Sequence, residues 1–324
     1  MNIPKNLVGG IYRTTENFMN LLSLLEQLMN GIGFGLVLFL MAAGLTIVFG
    51  VMDTMNLAHG TLFMLGAYFA ATAYRVLESF PMALLCAVAL TMIAGAILEI
   101  SLIRRLYKRS HMNQVVATFG VILICNDAVK YFWGPTPLFA ATPPSLSGPI
   151  TLFGAFEYPA FRLLVIGVGI ALAIALYFMM AHTRLGMLVR AGASNREMTQ
   201  LMGIRVRRVF TCIALLGAAL AGVGGAMMGP ITSVQTGMGE AVLIPALVII
   251  VIGGIGSIRG AFIAALLVGI VDTAGRAFIP ALLGEIASPV IAADVGPALA
   301  SVLMYVLMIV VLCFKPSGLF PARG

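Results

Sequence analysis

The sequence predicts an all-α, polytopic integral membrane bundle of about 8–10 membrane helices with at least one discontinuous helix, and three observations carry this. First, 61% of the 324 residues are hydrophobic and 10% are charged, against roughly 25% charged in an ordinary soluble domain. Second, apolar runs nearly free of interior charge cover about residues 28–50, 61–74, 81–103, 114–132, 161–181, 209–229, 241–256, 260–279 and 295–314, and a membrane span needs roughly 20 such residues. Third, the basic residues lie between the runs, in an order that fits one consistent topology. Large soluble domains are excluded. The formal net charge of +7 reports orientation in the membrane, and no nucleic acid partner is expected.

Residues 1–27 form an N-terminal extension, in which residues 17–27 could make an interfacial helix. Lys5 and Arg13 favour a cytoplasmic N-terminus. The following apolar run is interrupted by Glu26 and Gln27 and has no small-residue cleavage site, so no removed signal peptide is expected. The run at 28–50 is followed by a polar break, Asp53 to Gly60, that divides what would otherwise be an impossibly long helix. Polar backbone at membrane depth is tolerated where it is buried in protein or lines a watery cavity, and half-helix ends of this kind build solute sites in transporters. Asp53, Asn56 and His59 are therefore candidates for a translocation path, with a short surface loop as the other reading. Two topologies remain open here: nine crossings with the N-terminus outside, or a re-entrant piece with it inside.

The next elements are oriented by charge. Arg104, Arg105, Lys108 and Arg109 form one basic cluster. Arg184, Arg190, Arg196, Arg205, Arg207 and Arg208 form a second, and Lys315 and Arg323 end the chain. Two spans separate the first cluster from the second and four separate the second from the C-terminus, so all three can be cytoplasmic. Residues 133–160 hold no Lys or Arg, and residues 280–294 hold Glu285 and Asp294, so both are expected outside. The first of these loops contains six prolines, Pro135, Pro137, Pro143, Pro144, Pro149 and Pro159, which makes it stiff and helix-poor. It could receive a soluble partner or serve only as a connector.

Polar residues inside spans are expensive and usually functional. Asn126 and Asp127 lie within a span and are expected to face the interior, which makes them further candidates for the translocation path, with Lys130 one turn on as a partner. Glu99 and Lys130 lie near span ends, where they can snorkel. Asp272 and Arg276, four residues apart, read as a structural pair. Glycine pairs at four-residue spacing, including Gly31 with Gly35, suit close helix packing.

The segment 182–208 is the longest basic stretch. Ser194-Asn195-Arg196-Glu197 has the form of a capping box and Gly203 supplies a stop, which predicts a two-turn helix from Asn195 to Met202. Ala191, Met198, Leu201 and Met202 fall near one face, an apolar ridge flanked by arginines. Such a helix needs a partner groove or the lipid interface to bury the ridge. Ser194, Glu197, Met198, Leu201, Met202 and Gly203 are thus candidates for docking a cytoplasmic partner.

Several chemistries leave no trace. Cys86, Cys125, Cys212 and Cys313 stand singly, without metal-site or disulfide spacing. There is no Gly-Lys dipeptide for a phosphate-binding loop and no common protease motif, so no cofactor, metal or catalytic residue is expected, and if ATP drives this protein another subunit binds it. A secondary transporter or channel for a small polar solute would need an ion-coupling carboxylate, for which Asp127 is the best candidate. A membrane enzyme would need a constellation that only Asp53 with His59 approaches.

Asn56-Leu57-Ala58-His59-Gly60, followed by Met64-Leu65-Gly66-Ala67-Tyr68, resembles the signature of permease subunits of branched-chain amino acid ABC importers. Arg184-Leu185-Gly186 through Asn195 and Leu201-Met202-Gly203-Ile204 resembles that family's cytoplasmic coupling segment. Gly253-Gly254-Ile255-Gly256-Ser257 resembles its late glycine motif, and Lys315-Pro316-Ser317-Gly318-Leu319-Phe320 its C-terminal end. Leu57 stands where the family usually has Phe. The resemblance spans about residues 28–320, which it makes a transmembrane permease domain. It implies a multi-pass subunit of the bacterial inner membrane, not itself an enzyme, that carries branched-chain amino acids or related small solutes. The implied partners are two cytoplasmic ATPase subunits, a second permease of the same or a related kind, an extracytoplasmic solute-binding protein and the lipid membrane.

Overall fold

The computed structural model describes residues 5–107, 109–152 and 156–320. Twelve helices follow one another among them: α1 (Lys5–Met52), α2 (His59–Leu77), α3 (Phe80–Leu98), α4 (Arg104–Leu106), α5 (His111–Trp133), α6 (Ala160–His182), α7 (Arg184–Ser194), α8 (Arg196–Leu201), α9 (Val206–Met228), α10 (Met238–Gly253), α11 (Ile258–Ile286) and α12 (Pro289–Phe314). A π-helical turn, Glu99–Ile103, joins α3 to α4. The one sheet among the described residues is a hairpin in the proline-rich loop, β1 (Pro149–Leu152) antiparallel to β2 (Phe156–Pro159).

Seven of these segments are long and apolar enough to cross a membrane: Leu22–Met52, Phe80–Leu106, α5, α6, α9, α11 and Val290–Phe314. The shorter α10 and the more polar α2 lie in the interior, which completes the expected polytopic bundle. The span Leu22–Met52 is its axis: 83% of its most apolar window is buried, and it packs on α11, α9, α6 and α10. Small residues permit this, since lipid gives helices no hydrophobic reason to associate and contact rests on close packing. A methyl group added at Gly35 would lie 2.6 Å from the Ala265 carbonyl oxygen of α11, and one at Gly31 2.8 Å from Ile270 Cα. Both glycines of the spaced pair therefore do the work expected of them.

Cross-element bonds define two ends of the bundle. At one end the hairpin meets the start of the first span: Tyr158 donates to Asn30 Oδ1 at 2.9 Å, and Arg162 donates to the same oxygen. Burial pushes the Tyr158 phenol pKa upward, so its hydroxyl remains a donor. Leu138 pairs with Val234, and Trp133 Nε1 donates to Thr72 Oγ1 at 2.7 Å, which brings the ends of α2, α5 and α9 to this hairpin end. At the opposite, basic end, Leu319 N donates to Ile252 O at 2.8 Å and Arg259 donates to the Tyr177 hydroxyl at 3.1 Å. The C-terminus, the end of α6 and the start of α11 thus share a side, as the parity of basic clusters requires.

Two expectations for the N-terminal region are corrected. Helix α1 is continuous from Lys5, so residues 17–27 extend the first membrane helix and do not form a separate one. Its span also meets the hairpin end at Asn30 and finishes at the basic end, where a methyl at Gly50 would lie 2.6 Å from Gly256 Cα. The N-terminal end of the span therefore opposes the basic end, against the side favoured by Lys5 and Arg13. The reason is the break: it turns the chain back at the basic end, so α1 and α2 are separate passes and the number of passes is odd.

Candidate functional site

The break begins where α1 stops. Asp53 takes φ 48°, a left-handed conformation that ends the helix, and its N–H still donates to Phe49 O at 3.0 Å. Beyond it the backbone has no helical partners and would be costly at membrane depth. Helix α5 supplies them. Met55 N donates to Gln114 Oε1 at 2.9 Å and Leu57 N to Thr118 Oγ1 at 3.3 Å. Gln114 is itself fixed by donating to Leu106 O and Arg109 O, each at 3.2 Å. Gln114 and Thr118 are four residues apart on one face of α5, and both are buried.

Asn56 and His59 point inward from this loop, 8% and 1% exposed, whereas Asp53 is exposed. The His59 ring sits between α1 and α9, where a methyl at Gly44 would lie 2.8 Å from its Nε2 and one at Gly217 3.2 Å from its Cε1. A methyl at Gly44 would force a shift of the imidazole or of the Gly217 backbone, and one at Gly217 a shift of a few tenths of an ångström. Asn56 Oδ1, His59 Nε2 and Glu99 Oε2 have no hydrogen-bond partner among the described residues, and all three residues line one narrow cleft with Val48, Met52 and Ile103. Glu99 does not snorkel as its position near a span end suggested: it is 1% exposed, and Tyr107 donates to its Oε1. It opens the π turn, and one turn on Arg104 reaches across to Thr211 of α9 at 2.9 Å. Together the break, α3 and α9 enclose a polar cluster just above the basic end.

The other path candidates lie elsewhere. Asn126 faces α10, where its Nδ2 donates to Glu240 Oε1 at 2.6 Å. Asp127 is turned outward: its side chain is 79% exposed, paired with Lys130 at 3.3 Å. The expectation that it faces the interior of the chain fails because neighbouring helical residues diverge by about 100°, and Asn126 takes the inward direction. Glu240 escaped the sequence reading, which began the apolar run at residue 241. The signal was there, an acidic residue in the first turn of a helix that follows Gly237. Asp272 and Arg276 form the expected pair, Nε to Oδ2 at 2.8 Å.

On the basic end, α7 and α8 make a bent pair. Thr183 caps α7, accepting from Gly186 N at 3.3 Å, and Asn195 caps α8, accepting from Met198 N at 2.9 Å. The cap of α8 is thus Asn195 and not Ser194, because Ser194 is still helical as the last residue of α7, while Asn195 has the extended backbone (φ −152°, ψ 102°) that a cap requires. The side chain of Glu197 lies outside the described residues. Gly203 ends the segment at φ 81°. Thr199 anchors α8 by donating to Ala191 O at 3.0 Å. On the other side Met198, Leu201 and Met202 are 56%, 82% and 76% exposed, a bare apolar ridge. Helix α7 lies beside α1, close enough that a methyl added at Gly192 would lie 3.7 Å from Val51 in the last turn of α1.

The family model described as branched-chain amino acid transport system, permease component, matches residues 27–312. The permease protein BraD of the high-affinity branched-chain amino acid transport system of Pseudomonas aeruginosa is 29% identical over 91% of this chain and 95% of its own length. Its counterpart LivH of Escherichia coli K12 is 25% identical over 91% and 94%. The ribose import permease protein RbsC of Escherichia coli K12 is 24% identical over 82% and 81%. No solved structure matches. The match covers residues 27–312, most of a chain already seen to be a polytopic helical bundle, and shows that this chain belongs to the family of branched-chain amino acid transport permease components.

Proposed function

We propose that the chain forms the membrane path of an ATP-driven importer for branched-chain amino acids or related small solutes. The basic end is cytoplasmic by the distribution of Lys and Arg, and the hairpin end faces the extracytoplasmic binding protein that delivers solute. Two ATPase subunits and a second permease subunit complete the assembly, in the inner membrane of the cell. Ser194, Glu197, Met198, Leu201, Met202 and Gly203 belong to the element that meets the ATPase. Asp53, Asn56 and His59 belong to the hinge it works on, and Asn126 lies on the path side of α5. Asp127, turned out of the subunit, would serve the path only at a contact with the second permease.

The observation that carries this reading is the bare ridge on α8 at the basic end. Three large apolar side chains in water are unfavourable, at roughly 1.5–3 kcal/mol for each that a partner could bury fully. A soluble subunit grooved to receive them explains their exposure. Because α7 lies beside the last turn of α1, a pull on α8 reaches that turn and the break that follows it. The test is uptake: proteoliposomes holding the permease with its ATPase should accumulate L-leucine only with ATP and the binding protein present. Uptake by the permease alone would overturn the reading in favour of a secondary transporter or channel.

A further inference from the structure

A cavity of about 350 Å³ opens in the hairpin half of the bundle, bounded by α1, the loop after α9, and helices α10, α11 and α12. That volume falls in the range of about 300–1,000 Å³ typical of small-ligand sites. Its walls are mainly apolar, with Leu38, Val242, Val268 and Met304 among them, but the Asp272–Arg276 pair also lines it. Asp272 has 7% of its side chain exposed and Arg276 has 53%. Their mutual bond uses Arg276 Nε and Asp272 Oδ2. A carboxylate can accept about four hydrogen bonds and a guanidinium can donate five, so the pair keeps an acceptor oxygen and two donor nitrogens for a third party. A further acceptor comes from the backbone. Pro245 has no N–H to give the Ala241 carbonyl, and both residues line the cavity.

We propose that this cavity binds one zwitterion with an aliphatic tail, its ammonium against Asp272 and the Ala241 carbonyl, its anionic oxygens against the outer nitrogens of Arg276. The pair is neutral as a unit, so it suits a ligand that is neutral overall and carries both charges close together. An added cation or dianion would leave one charge uncompensated in a low-dielectric wall. On the import reading, on which this assignment rests, the occupant is a branched-chain amino acid held in transit within a single subunit. The same chemistry is offered by a phosphatidylethanolamine headgroup with its acyl chains.

The test is equilibrium binding of radiolabelled L-leucine to the complete permease–ATPase complex, without binding protein, in nanodiscs of phosphatidylcholine only, whose quaternary ammonium donates no hydrogen bond. Saturable binding is expected, reduced at least tenfold by Asp272→Asn, by Arg276→Gln and by Val268→Phe, the last filling the cavity while sparing the ion pair. Leucine binding should be competed by valine and not by lysine, glutamate or ribose. Thermal stability of each variant guards against misfolding, and Arg276→Lys and Asp272→Glu should retain part of the binding. Unchanged leucine binding in a folded Val268→Phe variant would overturn the assignment, as would no binding by the parent complex. Loss of leucine binding when phosphatidylethanolamine replaces phosphatidylcholine would assign the cavity to lipid. ATP-dependent leucine uptake alongside any of these negative results would leave the import reading standing, while uptake by the permease without its ATPase would remove it.

Discussion

Asn126 on α5 donates a 2.6 Å hydrogen bond to Glu240 in the first turn of α10. Helix α5 is peripheral, with 17% of its most apolar window buried. What fastens it is a stripe of polar side chains at 114, 118, 126 and 133, each bonded to the break, α2 or α10. Away from water such bonds resist exchange, although their net worth in membranes averages only about 0.6 kcal/mol.

Asn126→Leu should therefore cost more than Glu240→Gln. The first removes the donor that Glu240 Oε1 accepts from, at about 1.5–3 kcal/mol. The second retains an oxygen to accept the bond and should cost about 1 kcal/mol. Thermal unfolding of the purified complex reads the order, and equal losses would mean that Glu240 is held by something other than Asn126.

Gly44→Ala should destabilise the chain by about 1–3 kcal/mol through overpacking, because its methyl would meet His59 Nε2 at 2.8 Å. Combining it with His59→Ala should recover part of that loss, since the two changes act on one volume. Additive losses in the thermal melt would show that the clash is with Gly217 and not with the imidazole.

Single cysteines test the path of α1. In a background without Cys86, Cys125, Cys212 and Cys313, an impermeant thiol reagent should label Leu24→Cys and Ser145→Cys from one side of the membrane and Ser194→Cys from the other. Labelling of Leu24→Cys together with Ser194→Cys would return the N-terminal end to the basic side.

Spans were legible in the sequence because the bilayer imposes a run of apolar residues whose length no tertiary contact can change. Sidedness of 104–109, 182–208 and 315–320 followed from the basic residues. Finer features depend on which way a side chain turns. Ser194 and Asn195 are both good caps, and only the length of α7 decides between them. Asn126 and Asp127 are both polar, and only the position of α10 decides which is inside. Glu99 looked free to reach the interface until Tyr107 and the π turn closed over it. Lys5 and Arg13 lie within reach of the span that starts at Leu22, but the larger basic clusters at 104–109 and 184–208 lie on the opposite side and outweigh them. Asn56 and His59 stood out as a pair, but the glycines that make room for the imidazole come from α1 and α9, far apart in sequence.

Replacing Asn56 with Leu should lower solute uptake several-fold while assembly with the ATPase is kept. Its amide lies in the cleft beside the hinge and not on the outer surface. Normal uptake in a stably assembled variant would make the break a passive loop.

The central claim is that the α8 ridge transmits ATPase closure to α1 through α7, and its most direct measurement is ATP hydrolysis by the reconstituted complex with and without solute-loaded binding protein. Rim arginines should matter less than the ridge, since charges at an interface edge act mainly on association rate. Leu201→Asp with Met202→Asp should insert normally yet detach the ATPase, or leave its hydrolysis insensitive to the loaded binding protein. Full stimulated hydrolysis in that double variant would contradict the account and move the contact to residues 104–113.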